Sequence, residues 1–119
     1  MKHYILCPVR HVEDEVKLEI EAYIESLKSQ GEEVHSFQDV NQDDPTGFGI
    51  IMGHLEGMQN CDVVDVFWNA DSTGSHCDFG MALALEKPLN LIKCYKDNEG
   101  KSYWKAMSEY AKQQELVDA

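Results

Sequence analysis

The chain has 119 residues, with ten Lys and Arg against 22 Asp and Glu, giving a net charge of −12 with histidines neutral. That length fits a single domain spanning residues 1–119 with a core of its own, and 43% hydrophobic and 27% charged content excludes a disordered chain. So acidic a surface repels polyphosphate, which argues against nucleic-acid polymers and anionic membranes as partners.

No apolar stretch approaches the roughly 18 residues a membrane helix needs. The apolar run after Met1-Lys2-His3 meets Arg10 too soon for a signal peptide. Cys7, Cys61, Cys77 and Cys94 lie far apart without C-x-x-C spacing, and they read as reduced thiols of a cytoplasmic protein. A disulfide framework is not expected. Nor is a zinc site built on His76 and Cys77, because the paired ligands are missing; no metal and no cofactor is expected.

Residues 4–7, ended by Pro8, read as a buried first strand. Val12, Val16, Ile20, Tyr23, Ile24 and Leu27 then recur at helical spacing, with Glu13, Asp14 and Glu15 at the positive helix end and Gly31 placed to close it. Residues 33–37 give a second strand and residues 38–47 a long polar loop. A second helix over 47–60 carries Ile51, Leu55 and Met58 on one face, and its glycines predict a loose helix. Residues 62–68 form a third strand, 69–75 a turn, and 76–86 a third helix. That helix is apolar nearly all round, which predicts burial on most sides. After Pro88, residues 89–94 form a fourth strand, and a last helix carries Tyr103, Met107, Tyr110 and Ala111.

This alternation predicts an α/β three-layer sandwich: a mainly parallel, flavodoxin- or Rossmann-like sheet of four to five strands with helices on both faces. Ligands of such sheets bind at the carboxyl ends of the strands, near the point where strand order reverses. The candidate segments are therefore 7–11, 38–47 and 69–78. In the last, Ser72, Thr73, Gly74 and Ser75 offer hydroxyls and amides at a helix start, which suits a phosphate, a ribose hydroxyl or a carboxylate. The same letters have a second reading. Ser75-x-x-Asp78 matches a capping box, and a helix-start position would lower the pKa of Asp78.

The order Cys61-Asp62-Val63-Val64, the strand to Trp68, Gly74-Ser75-His76-Cys77-Asp78-Phe79-Gly80-Met81-Ala82 and Lys87-Pro88-Leu89 resembles the nucleoside deoxyribosyltransferase family, which includes nucleotide N-glycosidases. The opening Tyr4-Ile5-Leu6-Cys7-Pro8 resembles the family's first strand and its nucleoside-contacting loop, placing Cys7 and Pro8 at the substrate. The family's nucleophile is a glutamate that attacks C1′ of a nucleoside and passes the sugar to another base or to water. Asp78 matches it, one methylene shorter, a retreat of about 1.5 Å for the carboxylate. A misplacement of about 1 Å can cost on the order of a hundredfold in rate. The resemblance further implies that Tyr4 orients the nucleophile, that Asp71 contacts the base beside Asn69, and that Ser72 and Ser75 face the sugar or its 5′ substituent. It also implies a homodimer or higher homo-oligomer, which the apolar faces of the second and third helices suit; no asparagine clearly matches the one that completes a neighbouring subunit's site.

Other residues keep two readings each. His76 is a candidate acid for the leaving base or simply polar surface. Trp68 stacks on a base or packs the core. His54 reads as structural or exposed. Asp39, Asp43 and Asp44 lack the glycine and distal glutamate of a calcium loop, so a solvated or ligand-capping loop is expected, with Asp39 counted as a substrate contact. Two functions follow: cleavage or exchange of an N-glycosidic bond in a nucleoside or nucleoside monophosphate, or non-catalytic binding of a nucleotide-like small molecule. An acidic pocket, with Arg10 the main basic residue nearby, suits an uncharged nucleoside whose cleavage builds positive charge.

Overall fold

The computed structural model describes residues 1–118. Strands β1 (Lys2–Leu6), β2 (Glu33–His35), β3 (Val63–Asn69) and β4 (Leu89–Lys96) pair in parallel, in the order β2-β1-β3-β4. The side chains of the central strands alternate between two layers, as strand geometry requires. Tyr4, Leu6, Val64, Val66 and Trp68 pack on one side with Met58, Phe79, Ala82 and Met107. These come from α2 (Phe48–Asn60), α3 (Thr73–Ala84) and α4 (Tyr103–Asp118). Ile5, Cys7 and Phe67 pack on the other side with Ile20 and Ile24 of α1 (Asp14–Ser29). The expected sandwich is present, with four strands. No helix among the described residues is long and apolar enough to cross a membrane.

The α1 side also holds a polar cluster around a buried acid. Asp65, in the middle of β3 and fully buried, accepts hydrogen bonds from the Tyr23 hydroxyl at 2.9 Å and the Asn90 amide at 3.1 Å, and lies 2.6 Å from His3 Nδ1.

Three local expectations are corrected. The second strand stops at His35, because Ser36 caps a 3-10 turn, Phe37–Asp39, instead of extending. The glycines of α2 do not loosen it; they let it approach its neighbours. A Cβ on Gly53 would lie 3.2 Å from Val40, and one on Gly57 would overlap the His35 ring. Finally, α3 begins three residues early and is not buried all round, with Leu83 46% and Leu85 37% exposed. Lys87, in the Lys-Pro step, donates to the carbonyls of Gln59 and Cys61 at 3.1 and 2.9 Å, a cation closing the negative end of α2.

From β1 the chain steps outward to β2, then returns across β1 to β3. The reversal opens the crevice between the carboxyl ends of β1 and β3, the place such sheets use for ligands.

Candidate active site

Tyr4 and Asp78, 74 positions apart in the chain, meet at that reversal. The Tyr4 hydroxyl donates to Asp78 Oδ2 at 2.9 Å. Tyr4 is fully buried, and Asp78 is half-buried in the second turn of α3. The shorter acid therefore still reaches the phenol. Burial drives the Asp78 carboxyl up to about 6, and the Tyr4 hydrogen bond partly opposes it. Burial, then the charge of Asp78, pushes the Tyr4 phenol well above its ordinary range, so it stays a donor. These shifts reverse the expectation of a helix-start aspartate with a lowered pKa.

The capping reading of Ser75 and Asp78 fails for the same reason. Ser72 is the cap: its Oγ accepts from the Ser75 amide at 3.4 Å and lies 2.8 Å from Ser75 Oγ. With the helix starting at Thr73, Asp78 points to the sheet and owes nothing to a cap. Gly74 sits in the first turn with open space where a side chain would be.

The flanking candidates are placed as follows. Cys7 follows β1, buried, and burial with the charge of Asp78 pushes its thiol up to about 12, so it remains a neutral thiol. Pro8, next to it, lines a 270 Å³ groove with Phe37, Val12 and Ile20 on the α1 side. Asn69 Oδ1 accepts from the Asp71 amide at 2.9 Å, turning the chain out of β3. Asp71 is exposed and paired with Lys96 at 2.8 Å, which offsets one of the acids expected at the pocket. His76 holds Ser72 O through Nδ1 at 2.7 Å, its ring packed between Trp68 and Tyr103. Two residues from Asp78, it faces about 200° away around the helix. Trp68 is fully buried, which settles its two readings in favour of the core. Asp39 accepts from the Ser36 amide at 2.8 Å and lines a separate 460 Å³ groove with His35, Glu56 and the α2 glycines. Asp44 likewise binds backbone, at Thr46 and Gly49.

Two neighbours of Tyr4 carry no signal in the sequence motifs. His35 stacks on the Tyr4 ring with centroids 5.2 Å apart, and His54 meets the ring edge-on at 6.0 Å. The sheet order is what would have found His35: once β2 lies beside β1, the register Tyr4↔His35 puts the two on one face.

No protein-family model matches the sequence, and no curated protein does. Solved structures do match. The CMP N-glycosidase BcmB of Clostridium botulinum aligns with a TM-score of 0.65 and 19% identity, over 93% of this chain and 83% of that one. A 2-deoxyribosyltransferase from Bacillus psychrosaccharolyticus aligns with a TM-score of 0.69 and 18% identity, over 92% and 82%. The chain has their fold. The resemblance carried by residues 61–89 and the course of the backbone thus lead to the same architecture.

Proposed function

We propose that the protein cleaves or exchanges the N-glycosidic bond of a nucleoside or nucleoside monophosphate, with Asp78 as nucleophile. One observation carries this reading: a desolvated carboxylate held by a buried phenol at the reversal point of the sheet. The two similar structures, named as an N-glycosidase and a deoxyribosyltransferase, support that reaction class. In the first step Asp78 attacks C1′; the C1′–N bond breaks, its electron pair leaves with the base, and the base takes a proton from water. In the second, water or another base bonds to C1′ as the aspartyl C1′–O bond breaks, its proton neutralises the hydroxide left by the first step, and the carboxylate is freed. Tyr4 orients the attacking oxygen, and residues 69–75, which lead from β3 into α3, flank the site. Incubation with a panel of deoxynucleosides and nucleoside monophosphates is expected to release free base, and Asp78→Ala to abolish it. Base release that survives Asp78→Ala removes the nucleophile assignment.

The second reading, a binding domain without turnover, draws on the grooves. One groove lies beside His35 and another beside Pro8, and Asp78 lines neither of these two. A ligand that raises the melting temperature while no panel member loses its base would favour it.

A second copy of the chain is proposed to cover the outer face of α2 and α3. Phe48, Ile51 and Met52 are 67%, 49% and 44% exposed and follow one helical stripe of α2, and Leu83 of α3 is also exposed. Sedimentation is expected to show a dimer or larger assembly that Phe48→Glu dissociates; a monomer at high concentration would rule this out.

A further inference from the structure

We propose that His35 and His54 are positioning residues for the candidate nucleophile, holding the Tyr4 ring so that its hydroxyl stays on Asp78. Their effect on catalysis rests on the glycosyl-transfer reading; their effect on Asp78 does not. The Tyr4 phenol is wedged by two imidazoles that neither the motif nor the proposed chemistry uses. His35 lies nearly parallel to it, with an interplanar angle of 19°, and the backbone of Gly57 lies against the same imidazole so closely that no Cβ would fit. His54, three residues before Gly57 on α2, closes the arrangement. Its Nδ1 is 3.2 Å from His35 Nε2, and its ring stands at 87° to His35 and 73° to Tyr4. The phenol is thus fixed from α2 and β2 while its hydroxyl points to α3.

The contact between the two imidazoles requires one nitrogen with a hydrogen and one without. Two charged rings would set hydrogen against hydrogen at that distance and break it. Burial lowers the pKa of both histidines, which favours the neutral pair at pH 7. The charged groups facing the pair are Asp39 of the 3-10 turn, Glu56 of α2 and Lys2 of β1. A phenol free to rock loses its bond to Asp78, and the carboxyl, left with burial alone, then titrates higher. The pair therefore sets the pH at which the nucleophile becomes ionised.

The test is a carbon-13 NMR titration of the Asp78 carboxyl, assigned with Asp78→Asn, in the wild-type chain and two variants. His54→Leu removes the nitrogen contact and keeps the bulk. Gly57→Ala leaves all four side chains intact and displaces the His35 ring. In either variant that folds, the Asp78 midpoint is expected to rise by about one pH unit. In a Tyr4→Phe background, where the donor is already gone, neither substitution is expected to move it. An unchanged midpoint in the variants, or an equal rise with Tyr4→Phe present, would overturn the proposal. The nucleoside panel separates the two ideas: midpoints that move as expected while no base is released keep the positioning pair and remove the glycosyl reaction.

Discussion

Replacing Asp78 with Asn is expected to stabilise the fold at pH 7 and remove its reactivity. Burial lifts this carboxyl from its ordinary 3.8 to about 6 against the pull of Tyr4. Between those values the folded chain holds a proton that the unfolded chain has already released. Stability therefore falls as the pH rises through that window, and stays lower above it. The cost at pH 7 is on the order of 2–3 kcal/mol. An amide has no charge to desolvate and can still accept from Tyr4. Thermal melts should place Asp78→Asn roughly 5–10 °C above the wild type at pH 7, with the gap closing towards pH 4. Equal melting temperatures at pH 7 would show that the carboxylate is not desolvated. The same substitution should lower glycosyl chemistry by at least about a thousandfold. Under the proposed mechanism only the ionised form attacks, so the wild-type rate is expected to fall about tenfold per pH unit below about 6. The proposed reactivity and the loss of stability would then share one source, a partly desolvated carboxylate.

How far the sequence reveals this site depends on which forces act locally. The sheet follows from patterning, because Tyr4-Ile5-Leu6-Cys7 is a continuous apolar run and Val63 to Trp68 is one broken only by Asp65, as strands covered on both faces present. Helix ends are less legible. Both Ser72 and Ser75 are acceptable caps, and spacing chose the later one; the structure chose Ser72, whose hydroxyl also meets Ser75. That shift of three residues turns Asp78 from a capping partner into a half-buried acid facing Tyr4. The pair Tyr4 and Asp78 was reached through a motif resemblance, since a contact across 74 positions leaves no periodic trace. His54 looked like an ordinary helix residue for want of its neighbours: what gives it a role is the Tyr4 ring, set by β1, and His35, set by β2. Gly49, Gly53 and Gly57 at four-residue intervals did carry a signal. Read as propensity they mean a weak helix; read as geometry they mark the face that must approach another element. Lys87, matched as part of a family motif, holds the end of α2 and shows that a motif residue can be structural.

The largest loss of stability is expected from Asp65→Leu. This acid is fully buried on β3 and binds three elements at once: His3 of β1, Tyr23 of α1 and Asn90 of β4. For the 2.6 Å contact to be a hydrogen bond to an ionised carboxylate, His3 must carry its hydrogen on Nδ1. Its Nε2 then faces Glu32 at 3.9 Å, which in turn pairs with the amino terminus at 2.8 Å. Burial, with the charge of Asp65 next, pushes the Tyr23 phenol well above its ordinary range, so Tyr23 stays a donor. A leucine fills much of the volume but takes the acceptor from buried His3 and half-buried Tyr23, while exposed Asn90 can turn to water, a penalty of about 2–4 kcal/mol. Urea unfolding should show the midpoint fall with the slope unchanged. The mechanism can be separated from simple misfit by removing the stranded groups as well. If orphaned donors are the cause, adding Tyr23→Phe to Asp65→Leu should recover part of the loss, although Tyr23→Phe alone destabilises the wild type. Additive losses would mean that leucine packs badly there and that the hydrogen bonds matter little. Recovery would mean that the α1 side of the sheet is tied by one buried carboxylate, while the half-buried carboxylate of the other side, Asp78, sits at the candidate site.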